Sequence, residues 1–324
     1  MLSQKKPKII VVMGPTASGK SGVAIKLAQE FGGEIISADS RQIYRGLNIG
    51  SGKVKRDKNS SRLSVNGSQK NKKQENEFYS EDIRHHLIDV AKPQEDFNVS
   101  HFQKLAEEKI QEILERKKIP IICGGTAFWI DTLTQNSNIP EVAPNEKLRE
   151  KLNKKSAEKL FSQLEKLDPV RADSIDPKNK VRLIRAIEIC KAIGKVPELP
   201  TVSISQFTEK YEFFQIGIEV PREILNAKIK KRLEERFEEG MTAEVASLHK
   251  KGVSWKWLER IGLEYRWISL FLRQKVSENE MREKLYYASI HYAKRQMTWL
   301  KRNPQIHWHS GFETIEKEVE KFLE

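Results

Sequence analysis

The stretch Gly14-Pro15-Thr16-Ala17-Ser18-Gly19-Lys20-Ser21 has the spacing G-x-x-x-x-G-K-[ST] and follows a short apolar run, Ile9 to Met13, that reads as a buried strand. Residues in this order can cradle a polyphosphate. The glycines let backbone N–H groups turn inward, Lys20 supplies a point charge, and the Ser21 hydroxyl reaches a magnesium ion. Val23 to Phe31 continues with helical spacing, so the loop has the strand–loop–helix setting that a chance glycine-rich turn lacks. The loop does not say which atom of the bound molecule is attacked.

Further candidates lie along the chain. Asp39-Ser40-Arg41-Gln42 follows a second short strand, Glu34 to Ala38. Asp39 there has three readings: a helix N-cap, an acid that positions magnesium, or a general base facing an acceptor. Ser40 and Gln42 carry side chains that can read a base edge, and Arg41 one that can hold phosphate. Gly124-Gly125-Thr126 ends a third strand, Ile119 to Cys123, and suggests close backbone approach to a ligand or a plain tight turn. Arg232 lies at the border of the stripe Leu225, Ile229, Leu233, Phe237, either turned inward to a site or packed with its charge in water. Arg182 and Arg185 share a helix face opposite Leu183, Ile184 and Ile187, and the last long helix interleaves Lys294, Arg295 and Arg302 with Tyr292 and Trp299. Such a face suits an RNA backbone with unstacked bases.

The elements that must position these residues read as an α/β fold. Strand, helix, strand opens a P-loop NTPase-like parallel sheet, whose strands present functional groups at their carboxyl ends. Residues 1–134 form the first part of that core, and polar residues 53–80 read as a flexible surface insertion within it. Residues 135–212, charged helices bounded by prolines, read as an inserted all-α subdomain, and 213–324 as the second part of the core, a strand followed by a helical C-terminal region.

Composition narrows the partners. The chain has 324 residues, a formal net charge of +13 and two cysteines, Cys123 and Cys190, far apart and outside any paired metal spacing. A phosphate loop needs only one or two cations, so the excess points to a polyanion such as nucleic acid. No apolar run approaches the roughly 18 residues that would span a bilayer, and no signal-peptide core precedes the first strand. A cytoplasmic protein without membrane partner is expected, and without coiled-coil heptads a monomer.

Taken together, GPTASGKS, ISADSRQIYRGLNIGSGK at 36–53, HHLID at 85–89, GGTAFW at 124–129, VRLIRAIEI at 181–189 and AKRQMTWLKR at 293–302 resemble the tRNA dimethylallyltransferase family along the whole chain. The resemblance implies transfer of a dimethylallyl group from dimethylallyl diphosphate to the exocyclic amine of the adenosine beside the tRNA anticodon, with Mg2+ as cofactor. It implies Asp39 as general base, Thr126 as the active-site threonine, and Arg232 with Thr16, Lys20 and Ser21 as diphosphate and magnesium contacts. Ser40, Arg41 and Gln42, with the segment Val181, Arg182, Leu183, Ile184 and Arg185, are implied as tRNA contacts. The sequence departs from the family at Ala127-Phe128-Trp129, where Trp129 is expected to narrow the prenyl pocket, and at Gly262-Leu263-Glu264-Tyr265. Read from the residues alone, a P-loop kinase, a transferase acting on free adenine nucleotides and an RNA-binding ATPase remain alternatives.

Overall fold

The computed structural model describes residues 5–58, 77–135, 140, 142–197 and 209–324. The described strands are β1 (Lys8–Met13), β2 (Gly33–Ser37), β3 (Phe78–Ser80), β4 (Ile83–His86), β5 (Ile119–Gly124), β6 (Glu212–Ile218) and β7 (Ile306–His309). They make one sheet in the order β3-β4-β2-β5-β1-β6-β7, parallel throughout except for β3, which runs antiparallel to β4. Buried strands of this kind read as continuous apolar runs because both faces are covered. Ile9, Val11 and Met13 of β1 pack on one face, and Ile10 and Val12 on the other.

On the second face lie α1 (Lys20–Phe31) and the terminal α13 (Phe312–Leu323), which contribute Ala24, Leu27, Ile315 and Val319. The first face carries α2 (Val99–Glu115), α3 (Ala127–Thr134), α8 (Arg222–Glu238), α9 (Met241–Lys250), α10 (Trp255–Ile261), α11 (Leu263–Leu272) and α12 (Glu278–Leu300). Two expectations need correction. The C-terminal region is not helical to its end, because Ile306–His309 adds a parallel edge strand beside β6; a four-residue strand between helices leaves too short a period to be seen. The segment 53–80 is anchored at both ends. Lys53 is almost fully enclosed and its ammonium bonds Asp89 and the Tyr44 carbonyl, while Phe78–Ser80 is strand β3. Its middle, 59–76, lies outside the described residues.

The chain divides into two compact units, 1–134 with 207–324, and 135–206. The second unit is built from α4 (Glu146–Asn153), α5 (Ala157–Leu167), α6 (Pro169–Ser174) and α7 (Lys180–Ile193). Asn145, Ser156, Asp168 and Asn179 cap the four helices in turn by accepting from backbone N–H groups. Leu152, Leu160, Leu164, Leu183 and Ile187 fill its core. The buried Glu188 carboxylate accepts from Arg149 at 2.9 Å and from the Asn145 N–H at 2.6 Å. Burial alone would raise its pKa, and these donors with Arg185 hold it below the usual carboxylate range.

One buried network ties the sheet to α2. Glu34 accepts from His86 at 2.7 Å and Arg116 at 2.7 Å, with Lys118 at 3.1 Å. Those partners outweigh burial and hold its carboxyl far below the usual range. Beside it, burial pushes the His85 imidazole down to about 4. Folded His85 therefore stays neutral while the unfolded chain takes up a proton near pH 6.5, so stability is lost as pH falls below that value. The cost is about 2 kcal/mol by pH 5. A His85→Phe variant is expected to gain on the parent by about that amount between pH 7.5 and pH 5. Urea unfolding at the two pH values measures it, and an equal response of both proteins would contradict it.

Candidate active site

The phosphate loop leaves β1 at Met13 and enters α1 at Lys20. Ala17 (φ 62°) and Gly19 (φ 93°) are left-handed, and such turns aim neighbouring N–H groups into one concavity at the positive end of the helix. Ser18 Oγ is buried without a hydrogen-bond partner, as expected where an anion would accept from it. Lys20 Nζ donates to the Pro15 carbonyl at 3.3 Å. Burial lowers its pKa and nearby Arg232 adds to the effect, a cost that a bound anion reverses.

Folding brings Thr16, Lys20, Ser21, Asp39, Arg41 and Arg232 around one cavity, all within the first compact unit. Asp39 sits just beyond β2. Its Oδ1 accepts from the Arg41 N–H at 2.9 Å and the Gln42 N–H at 3.4 Å; these bonds brace a turn, and no helix begins here, so the helix N-cap reading falls. Oδ2 has no hydrogen bond to a described residue. Arg232 is turned inward: its guanidinium contacts the Thr16 hydroxyl, and its Nε is buried without a partner. Burial first, then Arg236, pushes its pKa down to about 10.

The glycine-glycine-threonine turn acts on this geometry through the backbone. A Cβ at Gly124 would lie 2.2 Å from the Ala38 carbonyl oxygen, so only glycine lets the ends of β2 and β5 approach so closely. Ala38 N–H donates to the Cys123 carbonyl at 2.8 Å, and Thr126 N–H to the Ala38 carbonyl at 3.3 Å. Thr126 Oγ1 in turn accepts from the Ser40 N–H at 3.2 Å. Thr126 thus holds the segment carrying Asp39, beside the cavity rather than in its wall.

The structure separates the expected RNA contacts. Lys294 and Arg295 are exposed on α12, and Val181 and Arg182 on α7. Leu183 and Ile184 are instead enclosed in the second unit's core, because the helical period turns them away from that surface. Arg185 is paired with Glu188 and the Val142 carbonyl. Gln42 is half-buried in the cavity wall beside Asp39, its side chain accepting from Ser37 at 2.9 Å and donating to the Gly52 carbonyl at 3.2 Å. Arg41 donates to the Ile261 carbonyl at 3.0 Å and lies over the Tyr292 ring. Trp129 does not narrow the cavity: it is buried and stacked on Phe102 at 4.6 Å between centroids.

Several functional residues escaped sequence reasoning. The buried Gln296 accepts from the Thr16 N–H at 2.8 Å and donates to the Gly125 carbonyl at 2.7 Å, joining the phosphate loop to the strand β5 turn. Its signal was a glutamine on the buried stripe Leu285, Ser289, Ala293, Gln296, Leu300. Glu244 accepts from the N–H groups of Asn48, Ile49 and Gly50 and from the Tyr265 hydroxyl. Arg236 pairs with Glu264 at 3.3 Å. Both tie the departing Gly262–Tyr265 stretch to the cavity wall.

Magnesium takes oxygen ligands and keeps several waters, bound by one or two carboxylates and substrate phosphates. Ser21 and Asp39 face the same cavity, so their oxygens suit it. No group of three His, Cys, Asp or Glu that could hold a metal occurs among the described residues, and an ion here would take further oxygens from the phosphates.

The chain matches the family model described as IPP transferase over residues 42–303, and that described as isopentenyl transferase over 7–67. A tRNA dimethylallyltransferase of Finegoldia magna is 37% identical, with 94% of this chain and 91% of the relative covered. A tRNA dimethylallyltransferase 2 of Treponema denticola is 38% identical, with 92% of each covered. The crystal structure of tRNA delta(2)-isopentenylpyrophosphate transferase from Staphylococcus epidermidis superposes with a TM-score of 0.65 at 32% identity, covering 98% of this chain and 99% of that one. With its phosphate loop, inward arginine and strand-end aspartate gathered in one cavity, the chain belongs to the IPP transferase family of tRNA dimethylallyltransferases.

Proposed function

We propose that the chain transfers the dimethylallyl group of dimethylallyl diphosphate to the exocyclic amine of the adenosine 3′ to the tRNA anticodon, releasing diphosphate. The observation that carries this reading is the cavity itself, where a carboxylate with one free oxygen shares walls with the cations of a phosphate loop.

The loop N–H groups, Lys20 and Arg232 hold the diphosphate as a leaving group. The amine nitrogen forms a bond to the allylic carbon as that carbon's bond to the diphosphate oxygen breaks, and the electron pair leaves with the diphosphate. Asp39 Oδ2 takes the amine proton, while Oδ1 keeps its two backbone donors and so fixes the direction of Oδ2. Charge grows on the leaving oxygens during the step, and Lys20 and Arg232 stabilise it more as it grows. A bound magnesium would neutralise further phosphate charge; Ser21 is the residue that would hold it, which leaves Asp39 Oδ2 to the proton. The adenine must leave its stack to reach such a cavity, which a single-stranded loop permits at low cost. Exposed Lys294 and Arg295 offer phosphate contacts on the first unit, and exposed Arg182 on the second, beside the apolar Val181. No described helix is long and apolar enough to cross a membrane, and the cytoplasm is where we place the reaction.

Mass spectrometry of an anticodon stem-loop tests this, after incubation with the protein, Mg2+ and dimethylallyl diphosphate, with ATP in a parallel tube. A gain of one dimethylallyl mass on that adenosine without ATP is expected. No gain, with ATP consumed in the other tube, would move the assignment to a kinase or ATPase.

A further inference from the structure

We propose that Arg236 is a second diphosphate-binding guanidinium of this cavity, restrained by Glu264 until the diphosphate arrives. The inference rests on the reading that the cavity binds diphosphate, and it names a binding residue that neither the phosphate loop nor Arg232 accounts for.

Four observations support it. Arg236 follows Arg232 by one helical turn on α8, so the two side chains leave the same face, and both line the cavity with Thr16 and Lys20. Arg236 is only 7% exposed, which rules out a solvated surface arginine. A guanidinium offers five N–H donors, and Arg236 makes a single hydrogen bond among the described residues, to Glu264 Oε1 at 3.3 Å. That is long for a charge-assisted bond, which closes to about 2.7–2.9 Å when optimal. Lastly, the backbone opposite makes room for the guanidinium. A Cβ on Gly52 (φ +67°) would lie 1.7 Å from Arg236 Nη2, so the group sits in a slot of fixed shape with most of its donors unused.

The charges point to the kind of ligand. Lys20, Arg41, Arg232 and Arg236 face Asp39 and Glu264 in this cavity, a surplus of two positive charges that the enclosed site leaves unbalanced. Two guanidinium groups one turn apart in a buried wall repel each other, and the burial-driven fall of the Arg232 pKa is deepened by Arg236. A compact polyanion with several acceptor oxygens relieves both the repulsion and the unused donors; a single phosphate offers fewer oxygens to share between two guanidiniums. Glu264 has the opposite part. Its weak bond keeps Arg236 in place in the empty cavity and competes with an incoming anion for the same donors.

The alternative is a purely structural ion pair joining α8 to α11. Calorimetric titration of inorganic diphosphate into the full chain without RNA separates the two, using Arg236→Met, Arg236→Lys and Glu264→Gln. We expect Arg236→Met to weaken diphosphate binding about tenfold or more, Arg236→Lys to recover part of the loss, and Glu264→Gln to bind at least as tightly as the parent. In turnover, Arg236→Met should raise KM for dimethylallyl diphosphate more than it lowers kcat. Unchanged diphosphate affinity in a folded Arg236→Met, or in Arg236→Lys if the methionine variant does not fold, would overturn the proposal. So would equal losses of melting temperature in Arg236→Met and Glu264→Gln with no change in diphosphate affinity. A parent that binds diphosphate through Arg236 yet transfers no dimethylallyl group would sink the assigned reaction and leave this inference standing.

Discussion

Asp39→Ala and Asp39→Asn are both expected to lower turnover about 10²–10⁴-fold, the usual contribution of a positioned base, while anticodon stem-loop affinity changes by less than about threefold. The pair is informative because the two variants differ in what they remove. Alanine deletes the acceptor for the Arg41 and Gln42 N–H groups, and so loosens the turn as well as removing the base. Asparagine keeps an oxygen where Oδ1 stands and offers only an amide nitrogen where Oδ2 stands, so the turn survives and the proton has no destination. If Asp39 served only to brace the turn, asparagine would restore activity. Initial rates at saturating substrates, with RNA affinity by fluorescence anisotropy, distinguish the roles. An asparagine variant with parental turnover would remove Asp39 from the chemistry.

Lys20→Met is expected to reduce kcat by about 10²–10³-fold, the range seen when one preorganised donor to developing charge is removed. Its ammonium already sits in a buried setting that lowers its pKa, so its interaction with the growing charge of the leaving diphosphate meets little screening from water. Because that charge is larger in the transition state than in the bound substrate, kcat and kcat/KM should fall together. Lys20→Arg is not expected to rescue, since a planar fork cannot occupy the position of a compact ammonium. A rise in KM with kcat preserved would mean that Lys20 binds both states alike. Arg236→Met, by contrast, should act mainly on KM, which makes the two cations distinguishable in one set of rate measurements.

How much of this was legible depended on whether the signal was local. The phosphate loop, Asp39 and the third strand's glycine turn were visible because each is a contiguous string with its own geometric demand. Arg232 could be singled out at the edge of an apolar stripe, but only folding decided that it faces Thr16 rather than water. Gln296, Arg236 and Glu244 were missed because their partners lie 171 or more, 28 and up to 196 positions away, and no periodicity records a hydrogen bond between distant segments. Leu183 and Ile184 show the opposite error. They were included because they lie within a matching string, although their own helical spacing already places them with Ile187 on the buried side. Trp129 was misplaced for a similar reason, since adjacency to the glycine turn says nothing about which side of α3 it occupies. The β7 strand was lost to its brevity.

The bare α-carbon of Gly124 has a consequence for redesign. The gap between the Ala38 carbonyl and Gly124 is narrower than one methyl group, so the reach from Asp39 to the phosphate loop is set by an atom that is missing, and no rotamer can adjust it. Attempts to widen the cavity for bulkier allyl donors must therefore trim side chains elsewhere in the wall and leave this seam untouched. The smallest possible substitution there would prise apart the two strand ends whose closeness gives the carboxylate its aim.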